Sequence, residues 1–330
     1  MQEFNANQTE IITLDMLVSK THKYRKMLTL LNFSSLCKPI MKLNREENTG
    51  GKEGYGITKL FKCVFLQFLE DLSDRQLEKY LQENTAAKLF CKFNLTSKTP
   101  HYSLFTKVRD RIGCVRLSKM FNKIQKSLKK SGHLLENFTF VDATHIIRKN
   151  KLWEERDKAI AKKYDKLNNK TLPKVAHDKE ARIGCKGKNK YWYGYKTNIS
   201  VDMQSGLINK IFLTAANLTD AKALKYICPS KGAIFGDKGY CTSDAVKEIE
   251  KRKCHNATIK KNNMKGKNKD LDKWYTKMRS PYERVFSKLN KKTRYVGRLK
   301  NQFTMLFYAI IHNTKRLIKI SPSLKLSYDL

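Results

Sequence analysis

No C-x-x-C pair occurs among the eight cysteines (Cys37, Cys63, Cys91, Cys114, Cys185, Cys228, Cys241 and Cys254), so their spacing offers neither a zinc site nor a compact disulfide framework. They read as reduced, mostly packed thiols of a cytosolic protein. Long hydrophobic runs are also missing. The longest apolar stretches, residues 57–69 and 303–311, are too short or too charged to span a bilayer. The first residues carry no basic region followed by an apolar stretch, so neither secretion nor a membrane partner is expected. Acidic residues are scarce: 30 Asp and Glu stand against 68 Lys and Arg, a formal net charge of +38 on 330 residues. That imbalance is the electrostatic footprint of a polyanion binder, and nucleic acid is the leading partner. A genome rich in lysine codons would give the same count, and the same field. The 40% of hydrophobic residues that are present can fill the cores of about two domains, which argues against a disordered chain.

Residues 1–50 read as a polar N-terminal arm that ends in a linker over 44–51. Apolar residues then recur at helical spacing: Ile57, Leu60, Phe61, Val64, Phe65 and Phe68 make one helix, and Ser73 or Asp74 caps the next, which carries Leu77, Tyr80 and Leu81. A third helix runs from Pro100 through Phe105, Val108 and Ile112, and a fourth from Leu117 to Leu128, so residues 51–133 read as an all-helical domain. Beyond it the pattern changes to strands. They are expected at 138–147, 191–202, 206–215, 233–235 and 256–259, with Asp220 capping a helix through Leu224 and Ile227 and Ser243 starting another. This is a mixed α/β order, and it is that of the ribonuclease H-like fold, in which the first and fourth strands lie side by side. The fold class expected is therefore a ribonuclease H-like mixed sheet with flanking helices over 134–322, preceded by the helical domain and followed by a tail at 323–330. A basic insertion at 148–190 holds fifteen Lys or Arg against six acids, and its Trp153, with Tyr191-Trp192-Tyr193, interleaves aromatics with charge as single-strand or distorted-DNA contacts often do. For Trp192 a place in the core is an equal alternative. A second basic loop spans Lys260 to Lys267.

Three carboxylates stand out. Asp142 interrupts the apolar run Phe138-Thr139-Phe140-Val141-Asp142-Ala143-Thr144, where Asp is a poor strand former and an unpaired buried charge is expensive. Asp237 closes the fourth strand in Gly236-Asp237-Lys238-Gly239-Tyr240, and Glu283 lies in Arg279-Ser280-Pro281-Tyr282-Glu283-Arg284. Phosphodiester cleavage needs an activated attacking oxygen and a stabilised leaving oxygen, which two Mg²⁺ ions about 3.5–4 Å apart supply. A few carboxylates hold such ions, which keep several waters. Each acid has a plainer alternative: a strand end for Asp142, a turn for Asp237, and for Glu283 a capping box with Ser280 followed by Pro281 at the first helical position.

In these residues the chain resembles the DDE transposases of bacterial insertion sequences, most closely the insertion-sequence-five family. The segments that carry the likeness are Leu72 to Glu78, Pro100 to Phe105, Val141-Asp142-Ala143-Thr144, Asp178 to Arg182, Tyr193 to Lys196, Thr214 to Asp220, Gly236 to Tyr240, Arg279-x3-Glu283-Arg284-x-Phe286 and Asn313 to Leu317. Relatives often place a Tyr three residues before the Arg and a Lys seven after the Glu. Here Tyr275 is four before Arg279, and Asn290 takes the later position with Lys291 next. The resemblance implies Asp142, Asp237 and Glu283 as catalytic, metal-holding acids for two Mg²⁺, with Mn²⁺ able to substitute. It implies cleavage at the element's terminal inverted repeats, joining of the freed 3′-hydroxyls to target DNA, and a homodimer or larger assembly on double-stranded DNA in the cytoplasm, associated with the nucleoid. Arg279, Arg284, Lys196, Lys238 and Lys291 are the expected DNA contacts. An inactive DNA-binding derivative and a ribonuclease H-like nuclease without strand transfer remain the alternatives.

Overall fold

The computed structural model describes residues 12–41, 54–187, 190–289 and 291–326; the expected linker at 44–51 and Asn290 lie outside them. The chain divides into two compact units, one running up to Ile112 and taking up again at Leu317, the other spanning Gly113–Arg316.

The first unit is helical. Four short helices, α1 (Leu14–Leu17), α2 (Lys23–Leu30), α3 (Phe33–Leu36) and α4 (Lys38–Met41), form where the sequence suggested an arm. They bury Tyr24, Met27, Leu30, Phe33, Leu36 and Ile40. Three of them have four residues and α2 has eight, too few turns to display a clear amphipathic period, which is why the pattern does not reveal them. They pack with α5 (Ile57–Leu69), α6 (Asp74–Glu83) and α7 (Thr85–Cys91), and Phe33 meets Phe65 and Phe90 edge-on at 5.5 and 5.4 Å. Ser73 caps α6 in a reciprocal box with Gln76. Arg109 holds Asp74 with two hydrogen bonds of 2.6 and 2.8 Å and ties the start of α6 to α8 (Tyr102–Lys130). Gly113 breaks α8 with φ near +63°, separating the two helices read from sequence.

The second unit is a six-stranded mixed sheet in the order β2-β3-β1-β5-β6, with β4 also paired to β3. Its strands are β1 (Phe138–Lys149), β2 (Arg182–Lys186), β3 (Lys190–Asp202), β4 (Ile208–Ala215), β5 (Ala233–Gly236) and β6 (His255–Thr258). The helices are α9 (Trp153–Ala161) and α10 (Leu172–Val175) in the basic insertion, α11 (Asp220–Ile227), α12 (Ser243–Lys251), α13 (Lys269–Arg279) and α14 (Arg298–Ile320). The first, second and third expected strands pair antiparallel, β1 with β3 and β3 with β4, while β5 joins β1 in parallel, so the first and fourth lie side by side as expected. This is the ribonuclease H-like arrangement. A strand that the sequence reading did not separate, β2, pairs antiparallel with the start of β3 at the end of the insertion. Gly194 is fixed by that crowding, since a Cβ there would collide with the Ile146 carbonyl of β1.

Core and edges are closed by side chains. Val141, Ala221, Leu224, Ile227, Ile234, Tyr240, Ala245 and Ile249 pack α11 and α12 on one face of β1 and β5. The outer edge of β4 is satisfied from α14: Asn313 exchanges two bonds of 2.8 Å with the Ile208 backbone, and Gln302 accepts from Leu213 N. Buried Asp178 accepts from the Tyr195 hydroxyl at 2.8 Å and from Gly297 N at 3.1 Å, while Glu180 accepts from Arg298 N at 2.8 Å. These acids complement the start of α14. Trp192 and Tyr193 are buried, so they serve the core, whereas Trp153 and Tyr191 are exposed. Among the described residues no helix is long and apolar enough to cross a membrane.

Candidate active site

The parallel pairing of β1 and β5 ends at Phe140 opposite Phe235. Asp142 and Asp237 each follow two residues later, so they occupy matching positions where the two strands part, at the carboxyl end of a pair that runs about 4.8 Å apart. That register is a long-range fact which strand order predicted. Asp142 is mostly buried and accepts one bond, from Ala143 N at 2.8 Å. Burial pushes its carboxyl up from an ordinary 3.8 to about 7; the Ala143 N–H opposes the rise, the Asp237 charge adds to it, Arg279 opposes it and Asp220 adds. A carboxylate so placed is short of positive charge.

Asp237 starts a 3₁₀ turn, Lys238–Tyr240, and accepts from Gly239 N at 2.8 Å. Its turn role and its place opposite Asp142 coexist. Asp220 was read from sequence as a cap, but Thr219 caps α11 instead and leaves Asp220 to face Lys196 at 2.9 Å. A methyl on Gly239 would stand 3.0 Å from Asp237 Oδ1 and 3.7 Å from Asp220 Oδ2, which places both carboxylates around one glycine. Beneath them Tyr240 is fully buried, and its hydroxyl has no hydrogen-bond partner. Burial raises the Tyr240 hydroxyl pKa, and the charges of Asp220, Asp142 and Asp237 raise it further. Asp220, Gly239 and Tyr240 were missed as site residues, although their two segments are among those that carry the resemblance.

Glu283 stands apart. It lies on a 3₁₀ stretch, Ser280–Lys288, is about half exposed, and accepts from Arg279 Nη2 at 2.8 Å. The capping box with Ser280 does not form, because Ser280 has helical φ and ψ of −52° and −41° at the end of α13 and supplies no cap to the stretch that follows. Arg279 is itself largely buried, with its guanidinium 6.0 Å from the Phe140 ring, its Nε without an acceptor, and its charge felt by Asp142. It links Glu283 to the aspartate pair. Of the remaining expected DNA contacts, Lys196 is held by Asp220 and by the Leu218 carbonyl at 3.1 Å, while Lys238, Arg284 and Lys291 are exposed. Lys291 continues alongside β1, its carbonyl accepting from Ile147 N at 2.6 Å. Among the described residues no three His, Cys, Asp or Glu side chains stand close enough to hold a metal ion together.

Two family models match the chain. Residues 134–314 match the Transposase DDE domain family, which is more than half of the chain. The chain belongs to the DDE transposase family. Residues 12–111 match a second family, Transposase domain (DUF772), over the helical unit. No curated protein matches the chain. Among solved structures it is similar to the cryo-EM structure of a piggyBac transposase synaptic complex with hairpin DNA, with a TM-score of 0.43 and 10% identity over 92% of this chain and 76% of that one. The chain is thus a DNA transposase, an enzyme of phosphodiester cleavage and transesterification that binds DNA, and DDE transposases work with divalent metal ions. The residues present suit such an ion. Two opposed aspartates offer hard oxygen donors, and one of them is destabilised when ionised without a nearby cation. In the transposase Arg279 occupies the position from which it screens that charge.

Proposed function

We propose that Asp142, Asp237 and Glu283 are the catalytic acids of this transposase and that they hold two Mg²⁺, with Mn²⁺ able to substitute. The observation that carries the reading is the matched register of Asp142 and Asp237 beyond the last paired residues of β1 and β5. The ions supply Lewis-acid stabilisation of the attacking and leaving oxygens. Asp142, whose carboxyl burial pushes up to about 7, would hold a cation in its ionised form. Glu283 completes the set on release from Arg279, which is then free to contact a phosphate. Arg284, Lys238 and Lys291 hold the DNA backbone around the scissile bond, and Lys196 sets Asp220 beside Asp237. Water is the nucleophile of the first step and the freed 3′-hydroxyl that of the second. The helical unit carries terminal-repeat contacts, two copies of the chain act together on a pair of ends, and the work is done on the nucleoid in the cytoplasm.

Labelled element ends, a target plasmid and Mg²⁺ test the reading in one tube. Nicked ends and joined products are expected, and Asp142→Ala is expected to yield neither. Cleavage that survives Asp142→Ala sinks the assignment of the metal site, full activity in Glu283→Gln removes Glu283 from it, and cleavage without joining makes the protein a nuclease.

A further inference from the structure

We propose that the groove beside Asp237 seats an unpaired DNA strand, one base of which stacks on Trp274. Helix α13 buries none of its eleven residues and leaves Leu271, Trp274 and Met278 exposed along one side, with Trp274 at 49%. Such a face in a surface helix calls for an occupant. Lys269, Lys273 and Lys277 recur every fourth residue, so they form a row with a rise of about 6 Å from one to the next. With Lys267 and Lys238 they line a groove of about 900 Å³ that also contains Trp274. Lys238 directly follows Asp237, so the groove opens next to the reacting centre.

Charge and shape select the occupant. Five lysines line the groove against two aspartates, Asp270 and Asp272. Asp272 is engaged internally, accepting from Lys260 N at 3.3 Å and lying 3.7 Å from Lys267, while Asp270 makes only an exposed 3.9 Å pair with Lys273, which contributes little. A surplus of positive charge remains for phosphates. Trp274 is steadied from the side, with Phe235 at 6.1 Å and Tyr275 at 5.5 Å, and it keeps a free surface toward solvent. A lysine-lined groove with an aromatic platform fits single-stranded nucleic acid, whose bases have free faces; in a duplex those faces are stacked and closed to a side chain. The volume suits a ligand of nucleotide size. The basic loop from Lys260 to Lys267 thereby gains a role through Lys267, its last residue, which lines the groove.

This inference rests on the transposase reading for the origin of the strand, yet its test needs no catalysis. The full chain is titrated without divalent metal against a fluorescent 15-nucleotide oligo-dT and against a 15-bp duplex. Trp274→Ala is expected to weaken oligo-dT binding by about 5- to 100-fold and to leave duplex binding within about twofold, while Trp274→Phe recovers most of the loss. Lys273→Gln with Lys277→Gln is expected to lower the salt slope for the oligonucleotide by about 1.4. Melting curves check that these exposed substitutions leave the fold intact. Equal affinity of Trp274→Ala and the wild type for oligo-dT overturns the proposal, as does an equal loss on both DNAs. Cleavage that depends on Asp142 would meanwhile leave the catalytic assignment standing, so the two readings fail separately.

Discussion

Replacing Asp142 by Asn should make the metal-free transposase more stable while it abolishes catalysis. The Asp142 carboxyl is pushed from 3.8 to about 7 by burial first and then by the Asp237 and Asp220 charges. Between about pH 4 and pH 7 the folded chain therefore holds a proton that the unfolded chain has released, so stability falls as pH rises through that window and levels off above it. At about 1.4 kcal/mol per pH unit, the ionised carboxylate destabilises the folded state by up to about 4 kcal/mol at pH 8, an upper bound because side chains and water relax around it. Asn keeps the shape and carries no charge. Thermal melts in a chelator from pH 4 to pH 9, wild type against Asp142→Asn, isolate this one group because other titrations cancel in the difference. The variant should match the wild type at pH 4 and melt on the order of 10 °C higher at pH 8 in the transition of the unit that holds the sheet. Added Mg²⁺ should then raise the wild type and leave the variant nearly unmoved. A variant that melts at or below the wild type at pH 8, or a difference that does not depend on pH, refutes the reasoning.

Three further outcomes are expected. Gly239→Ala places a methyl 3.0 Å from Asp237 Oδ1 and should lower end cleavage more than about tenfold with an unchanged circular dichroism spectrum. Arg279→Ala removes the cation that lowers the Asp142 pKa, so the acidic limb of the pH–rate profile should move to higher pH; a limb that stays put would separate Arg279 from Asp142. In the helical unit Lys62 is buried over the Phe33 and Phe90 rings, and burial lowers its pKa to about 8 from 10.5. The unfolded chain there keeps a proton that the folded chain sheds, so wild-type stability should rise between pH 8 and 10.5, and Lys62→Met should flatten that rise in denaturant titrations.

The sequence marks Asp142 because a charge inside an apolar strand is a local anomaly, and it gives the strand order because the apolar period changes from helical to alternating within a few residues. The Ser73–Gln76 box is equally local and forms as read. At Ser280–Glu283 the same spacing misleads, because α13 runs into the segment and holds Ser280 in helical geometry, while Arg279 offers Glu283 a charged partner four residues away. Asp220 looked like a cap because a polar residue before an apolar helix usually is one; Thr219 takes that place.

By itself, then, the chain determined its mixed sheet, its helical unit, its basic field and the three candidate acids, all of which are written in composition, in short motifs or in periods of two to four residues. Tertiary structure alone decided who faces whom. Parallel pairing of strands nearly a hundred residues apart set Asp142 level with Asp237, brought Asp220 and Tyr240 beside them, and left Trp274 on an open lysine groove. Electrostatic partnership depends on distance in space and on burial, and neither is encoded in any short stretch of residues.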